Sequence, residues 1–167
     1  MIETTNSKTA EALALAKEIT TSWFWSLEIE QPESNRLDVK LASADDLVSI
    51  VTAMRVKRLG YLSAITGMDP GLETEQLEVL YHFCAGAAVI TLRVPIPRHA
   101  PVVPSLSQII PSAEVFEREL KEMFGVMVSG LPTPEHLYLP DDWPDTTYPL
   151  RTDFDLASIR TTTVGEG

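Results

Sequence analysis

Apolar positions along the chain switch between a helical and a strand period, and the switches outline its elements. In "SKTAEALALAKEIT" Ala10, Leu13, Ala14 and Ile19 recur near one stripe behind Ser7 or Thr9, either of which can cap. That pattern predicts a short amphipathic first helix. The period then falls to two: Leu27 and Ile29 alternate with Ser26, Glu28 and Glu30, and Leu37, Val39 and Leu41 alternate with Asp38 and Lys40. Between these runs "QPESN" is rich in turn formers, so the two strands are expected to form a hairpin. "SADDLVSIVTAMRVKRLGY" returns to the helical period, with Leu47, Ile50, Val51 and Met54 as its buried stripe. Ser43 is placed to accept the Asp46 amide, two aspartates meet the positive end of the dipole, Lys57 and Arg58 meet the negative end, and Gly60 closes the helix. Three strand-like runs follow, "YLSAITGM", "EQLEVLYHFCA" and "AAVITLRVPI". The order helix, two strands, helix, three strands predicts an α+β two-layer sandwich, with helices over one face of a sheet.

The texture changes after Val94. Prolines at 95, 97, 101, 104 and 111 each remove a backbone donor and fix φ, so this connector is expected to run extended over the surface and not as a central strand. "SAEVFERELKEMFG" restores a helix, with Ser112 as cap, Glu114 in the first turn, Phe116, Leu120, Met123 and Phe124 on one face, and Gly125 as terminator. From there to Phe154 no period is visible. The reading is one structural domain in two parts: an α+β core over 1–94, and over 95–167 a proline-rich connector, a helix and an extended carboxyl-terminal strap.

Composition narrows the possible roles. At 167 residues, 44% hydrophobic and 22% charged, the chain can bury one ordinary core. Its net charge of −11 repels phosphate backbones and anionic membranes, so neither nucleic acid nor direct membrane insertion is expected. Cys84 is the lone cysteine, which excludes an internal disulfide or a cysteine-ligated cluster built by this chain alone. No apolar run approaches the ~20 residues of a membrane span, and the amino-terminal stretch is too polar for a signal peptide. A reducing setting and an indirect membrane link are therefore expected.

Candidate catalytic chemistry is thin. Asp141, Asp142 and Asp145 offer carboxylates of the kind glycosidases use in pairs, but neighbours in a turn diverge, and a solvated or arginine-paired turn explains them. His82 and Cys84 share a strand face, yet two ligands are too few for a closed zinc site, and His99 and His136 fall in separate loops. "ITGMDPG" lacks the lysine and hydroxyl of a phosphate-binding loop, and no serine sits in a nucleophile elbow. The expectation is no catalytic, cofactor-binding or metal site in this chain. What remains unusual is the length of proline-fixed, aromatic-bearing chain, which becomes ordered by lying on its own domain or on a partner.

Those residues carry a resemblance. "ERELKEMFG" (117–125), "GLP" (130–132), "LYLPDDWP" (137–144) and "YPLRTDF" (148–154), supported by "LSAITGMDPG" and "VPSLSQIIPSAEVFERE", are similar to the signature region of the thirty-kilodalton hydrophilic subunit family of respiratory complex I. That family includes the equivalent small subunits of membrane-bound energy-converting NiFe hydrogenases. The resemblance implies an α+β domain without a cofactor of its own, peripheral on the cytoplasmic side of a membrane complex. It also implies docking on the large catalytic subunit (a NiFe hydrogenase large subunit or its quinone-site homologue) beside iron–sulfur subunits. The NiFe centre and iron–sulfur clusters, or FMN and iron–sulfur clusters, would then belong to the partners. Leu131 in place of the family's histidine, a long "DDWPDTTYPLR" linker and the short continuation past Phe154 lean toward the hydrogenase branch, with the equivalent small subunit of NADH-quinone oxidoreductase (complex I) as the alternative. A soluble hydrolase using the acidic turn and a free-standing binding module rank lower.

On this reading the partner interface comprises Glu117, Arg118, Glu119, Phe124, Pro140, Asp141, Asp142, Trp143, Tyr148, Arg151, Asp153 and Phe154. Arg118 and Arg151 are the foremost candidates, since a guanidinium can chelate a carboxylate with two parallel bonds. A bridge from Arg118 to Glu114 or Glu122 within the helix is the competing arrangement. Trp143, Tyr148 and Phe154 either fill partner pockets or fold back on their own sheet. As a partner-held strap, the chain from Val126 onward is expected to gain its order on docking.

Overall fold

A computed structural model describes residues 2–22, 26–132 and 136–157. Trp23, Phe24 and Trp25, at the expected start of the first strand, lie outside the described residues. The elements run α1 (Ile2–Thr21), β1 (Ser26–Glu33), β2 (Arg36–Leu41), a 3-10 turn (Ala44–Asp46), α2 (Leu47–Val56), β3 (Tyr61–Met68), a second 3-10 turn (Leu72–Thr74), β4 (Gln76–Ala85), β5 (Ala88–Pro97), β6 (Val102–Pro104), α3 (Ala113–Phe124) and β7 (Met127–Ser129). The first five strands form one sheet in the order β1-β2-β5-β4-β3. The β1–β2 hairpin is antiparallel, β2 and β5 run parallel, and β5, β4 and β3 are antiparallel neighbours. A separate parallel pair joins β6 to β7.

The strand period explains the layers. Leu37, Val39 and Leu41, Leu77, Val79, Tyr81 and Phe83, and Ile90, Leu92, Val94 and Ile96 are all buried at alternate positions. α1 packs across β5 and against α2, and α3 lies along β3. The intervening positions make a polar face, on which Arg93 grips Glu78 with two bonds of 3.0 and 2.8 Å and Arg36 grips Asp38 with bonds of 2.9 and 3.0 Å. Leu47, Ile50, Val51 and Met54 of α2 are buried as their spacing predicts.

Several expectations need correction. α1 begins at Ile2, upstream of the anticipated caps, and Ser7 instead donates to Glu11 inside the helix at 3.0 Å. Its buried line runs through Thr9, Leu13, Ala16, Ile19 and Thr20, while Ala10 and Ala14 are exposed. Alanine is too weakly hydrophobic to fix the phase of a stripe, so the larger side chains decide it. Ser43 caps the 3-10 turn through the Asp45 amide at 3.1 Å, not through Asp46. Ser112 precedes α3 but is itself in the helical region and makes no side-chain cap, because the turn from Ile110 already winds into the helix.

The prolines behave differently from expectation. β5 continues through Pro95 and Pro97, so the strand crosses residue 94. Its pairing with β2 ends at Arg93, whereas pairing with β4 continues to Pro97. Val89 sends its amide to Asn35 on the β2 side at 2.8 Å, and amides two apart along a strand point the same way. Pro95 and Pro97 thus lack donors on the side β2 has already left, the edge position where proline is tolerated.

Tyr81 is fully buried, and its hydroxyl finds no hydrogen-bond partner among the described residues. Burial, reinforced by the negative charge of Glu117, pushes its phenol well above the ordinary range. Removing an unpaired buried hydroxyl while keeping the ring costs little, so Tyr81→Phe is expected to leave stability unchanged or raise it by about 1 kcal/mol in urea denaturation.

Candidate partner interface

α3 organises everything that follows it. Besides Leu120 and Phe124, α3 buries two carboxylates on different sides of the helix, Glu117 and Glu122. Glu117 is fully buried and accepts the Ser105 hydroxyl at 2.7 Å and the Leu106 amide at 2.5 Å. Burial pushes this carboxyl upward, and the two hydrogen bonds only partly offset it. The bonds hold the loop between β6 and α3 against the helix. Glu122 does the same on the other side, accepting the successive amides of Leu137, Tyr138 (2.9 Å) and Leu139 (3.4 Å). His136 Nδ1 lies 3.4 Å from Glu122 Oε1, and Arg118 donates to the His136 carbonyl at 2.8 Å. The incoming strap is therefore fixed by two side chains one helical turn apart.

The strap is fixed again at the helix end. Gly125 adopts φ +65°, the left-handed conformation in which glycine closes helices, and donates to Lys121 at 2.9 Å. The Tyr148 ring covers Gly125 so closely that a Cβ there would overlap the ring atoms. Leu150 donates to the Met123 carbonyl at 3.1 Å and Arg151 Nε to the Phe124 carbonyl at 2.7 Å. The Arg151 guanidinium stacks 4.6 Å from the Tyr148 ring centroid. Between these points Trp143 donates its indole N–H to the Thr147 carbonyl at 2.8 Å, which closes the Pro140–Thr147 segment on itself.

A third tie reaches the loop after β3. Asp69, with its side chain 2% exposed, accepts Arg98 (2.5 Å), the Gly71 amide (2.9 Å), and the amide and hydroxyl of Thr152 (2.9 and 3.0 Å). Arg98 also binds Asp153 at 3.0 Å. Burial raises the Asp69 carboxyl, but the Arg98 guanidinium and the three other donors outweigh that cost and hold it well below the usual carboxylate range.

The sequence-predicted residues therefore divide. Glu117 and Phe124 lie in the interior, contrary to their expected interface placement, because α3 turns that side toward β3 and the 105–106 loop. Arg118 and Arg151 bond carbonyls of their own chain. Trp143, Tyr148 and Phe154 are half-buried, Tyr148 by folding back over Gly125, Glu119 is half-buried, and Pro140, Asp141 and Asp142 are exposed. Asp153, 45% exposed at its side chain, is held by Arg98. Within the chain, the strap from 136 to 154 is held by α3 and Asp69. Asp69, Arg98 and Glu122 were missed, since nothing in "TGMDPG" or "PIPRHA" indicates which distant backbone a side chain will meet.

The remaining candidates stay apart. Asp145, like Asp141 and Asp142, is exposed in a turn. His82 and Cys84 do share the polar sheet face, but His82 Nδ1 lies 3.2 Å from Thr91 Oγ1 and Cys84 Sγ 3.5 Å from Ser63 Oγ. Burial pushes the His82 imidazole down, reinforced by nearby Arg36. Among the described residues no three His, Cys, Asp or Glu side chains gather at metal-binding distance, and no helix is long and apolar enough to cross a membrane.

Two depressions flank the ridge made by Met127 and Tyr148. One, of about 730 Å³, is bordered by Leu72, Val102, Arg98 and Arg151. The other, of about 320 Å³, is bordered by Leu139, Trp143, Pro144 and Glu122. Met127 (64%), Tyr138 (61%) and Leu150 (55%) are strongly exposed on these same segments. Exposed apolar groups beside an arginine and aromatic rings have the chemistry of a polypeptide-binding surface.

The architecture is thus an α+β domain clasped by its own proline-rich strap, with contact chemistry concentrated along the strap. Residues 41–160 match the family described as the respiratory-chain NADH dehydrogenase, 30 Kd subunit, and the chain belongs to that family. It is 34% identical over 132 residues to the C-subunit of the NADH-quinone oxidoreductase of Moorella thermoacetica, covering 77% of this chain and 87% of that protein. It is 36% identical over 110 residues to formate hydrogenlyase subunit 5 of Escherichia coli, covering 64% of this chain but 19% of that protein. A stretch of 57 residues is 49% identical to membrane-bound hydrogenase subunit beta of Pyrococcus furiosus, covering 34% of this chain and 33% of that one. Among solved structures, a chain of the archaeal membrane-bound sulfane sulfur reductase shares the fold, with a TM-score of 0.76 at 24% identity over 91% of both chains.

Proposed function

We propose that this chain is a non-catalytic peripheral subunit of a complex I-like membrane-bound oxidoreductase, docking its strap side on the large catalytic subunit. The observation that carries the reading is the strap itself: held within the chain by α3 and Asp69, it presents Tyr138 and Leu150 outward, and Met127 of β7 is exposed as well. A surface ordered before docking loses little entropy on association, which suits a permanent subunit contact. Electron transfer then runs through the NiFe centre and iron–sulfur clusters of partner subunits, on the cytoplasmic side, and this chain supplies interface area and shields the buried centre from water.

Leu131 in place of the family histidine and the long linker after Asp141 favour an energy-converting NiFe hydrogenase assembly. The extensive match to a small subunit of an NADH-quinone oxidoreductase supports the second reading, a complex I with FMN and iron–sulfur partners. Affinity purification of the tagged chain from native membranes tests the shared part. The large subunit and iron–sulfur subunits are expected to co-purify, and a monodisperse monomer from those membranes would count against docking. The metal content of the co-purified large subunit then separates the branches, nickel being expected for the first and absent for the second.

A further inference from the structure

The pairing of charges along the strap points to the chemistry of what binds beside it. Arg98 takes both nearby aspartates, Asp69 and Asp153, with its own side chain only 5% exposed. Among the described residues Arg151 is left without a carboxylate at ion-pair distance. It is nevertheless held rigidly, by Nε to the Phe124 carbonyl at 2.7 Å and by its stack on Tyr148 at 4.6 Å. With Nε committed to the helix end, the two terminal nitrogens form the free edge of the guanidinium, and Arg151 lines the depression of about 730 Å³. An arginine oriented in this way is pre-organised to take a carboxylate end-on with two parallel hydrogen bonds.

We propose that this depression receives a segment of the large partner subunit carrying one Asp or Glu side chain between apolar residues. The carboxylate binds the terminal nitrogens of Arg151, and the apolar neighbours cover the rim residues Leu72, Val102 and Met127, which are 59%, 41% and 64% exposed. Glu75 and Asp153 also line the depression, and their negative charges disfavour a second acidic group there. A chain of net charge −11 repels acidic segments over most of its surface, so an attractive point on a fixed guanidinium sets the register of docking. The inference rests on the docking role proposed above and adds the group that is recognised.

The test uses Arg151→Lys in the assembled complex, because an amine at that position can be joined to a carboxylate in salt-bridge contact by a zero-length carbodiimide. Mass spectrometry of the complex is expected to find a new cross-linked peptide between position 151 and an Asp or Glu of the large subunit, absent from the wild type. Arg151→Gln should in parallel weaken retention of the large subunit about 30-fold or more, with the melting temperature of the isolated chain changed by only a few degrees. If the large subunit co-purifies but the link goes to Glu75 or Asp153, or no link forms, the proposal is overturned while the docking role stands. Retention of the partner by Arg151→Gln at wild-type strength would also overturn it. A collapse of the melting temperature in both variants would reduce Arg151 to a brace for α3 and overturn it as well. Failure of the wild-type chain to bring down any large subunit would sink the docking role instead.

Discussion

Gly125→Ala is expected to lower unfolding stability by about 3 kcal/mol and to loosen the strap from 137 to 154. About 1–2 kcal/mol comes from forcing an L-residue into the left-handed region that φ +65° requires. The rest comes from Tyr148: the new methyl would overlap its ring, so the ring must leave its seat, and the Arg151 stack leaves with it. Gly86→Ala provides the control. Its φ of +62° is almost the same, but nothing lies within 4 Å of the added methyl, so only the backbone cost of about 1–2 kcal/mol applies. Urea denaturation of the two variants isolates the ring contribution as their difference. Limited proteolysis should cut the strap of Gly125→Ala faster than that of Gly86→Ala; equal losses in both assays would show that Tyr148 is not tied down at the helix end.

Asp69→Asn is expected to cost about 3 kcal/mol at neutral pH, because it leaves Arg98 buried with only the half-exposed Asp153 as a charged partner. The pH dependence identifies the cause. The folded carboxyl lies below its ordinary value, so its stabilising contribution is complete above about pH 4, where both folded and unfolded forms are ionised. It is lost as pH falls below that point toward the folded value. The gap between wild type and Asp69→Asn should therefore be constant from pH 7 to 5 and narrow steadily below about pH 4. A gap unchanged at pH 3 would place the loss in packing or in the Thr152 and Gly71 bonds, not in the charge. Glu117 has the opposite sign, since its folded carboxyl is raised: stability falls as pH rises through the window above 4.5, and Glu117→Gln should flatten that slope in denaturation curves collected across it.

The parts of the fold read from sequence are those in which hydrophobic residues repeat at one period. Leu47, Ile50, Val51 and Met54 are large enough to fix a helical phase, and the alternation in "EQLEVLYHFCA" and "AAVITLRVPI" fixes which face of the sheet is buried. The misses have physical reasons. Glu117 read as a partner-interface residue and Glu122 as a possible intrahelical partner of Arg118, because periodicity weighs hydrophobicity and cannot anticipate amides arriving from residues 106 and 137–139 to satisfy a buried carboxylate. Asp69 and Thr152 are 83 residues apart, and only the folded chain brings them together. The prolines at 95 and 97 read as an end to strand structure, whereas the sheet tolerates them where β2 has already stopped. The aromatics and arginines of the strap were legible as contact-forming groups, but the distant atoms they meet within the chain, such as the Phe124 carbonyl for Arg151 and the Gly125 backbone for Tyr148, were not.

Hydroxyl-radical footprinting of the tagged chain, isolated and in its native membrane complex, tests the docking role most directly. Oxidation of Met127, Tyr138 and Leu150 should fall several-fold on assembly, since each is more than half exposed on the strap side of the isolated chain. Val56 and Tyr61, exposed on α2 and at the start of β3, provide the comparison sites. Unchanged oxidation of Met127 and Tyr138 in a complex that contains the large subunit, or protection confined to Val56 and Tyr61, would contradict docking through the strap.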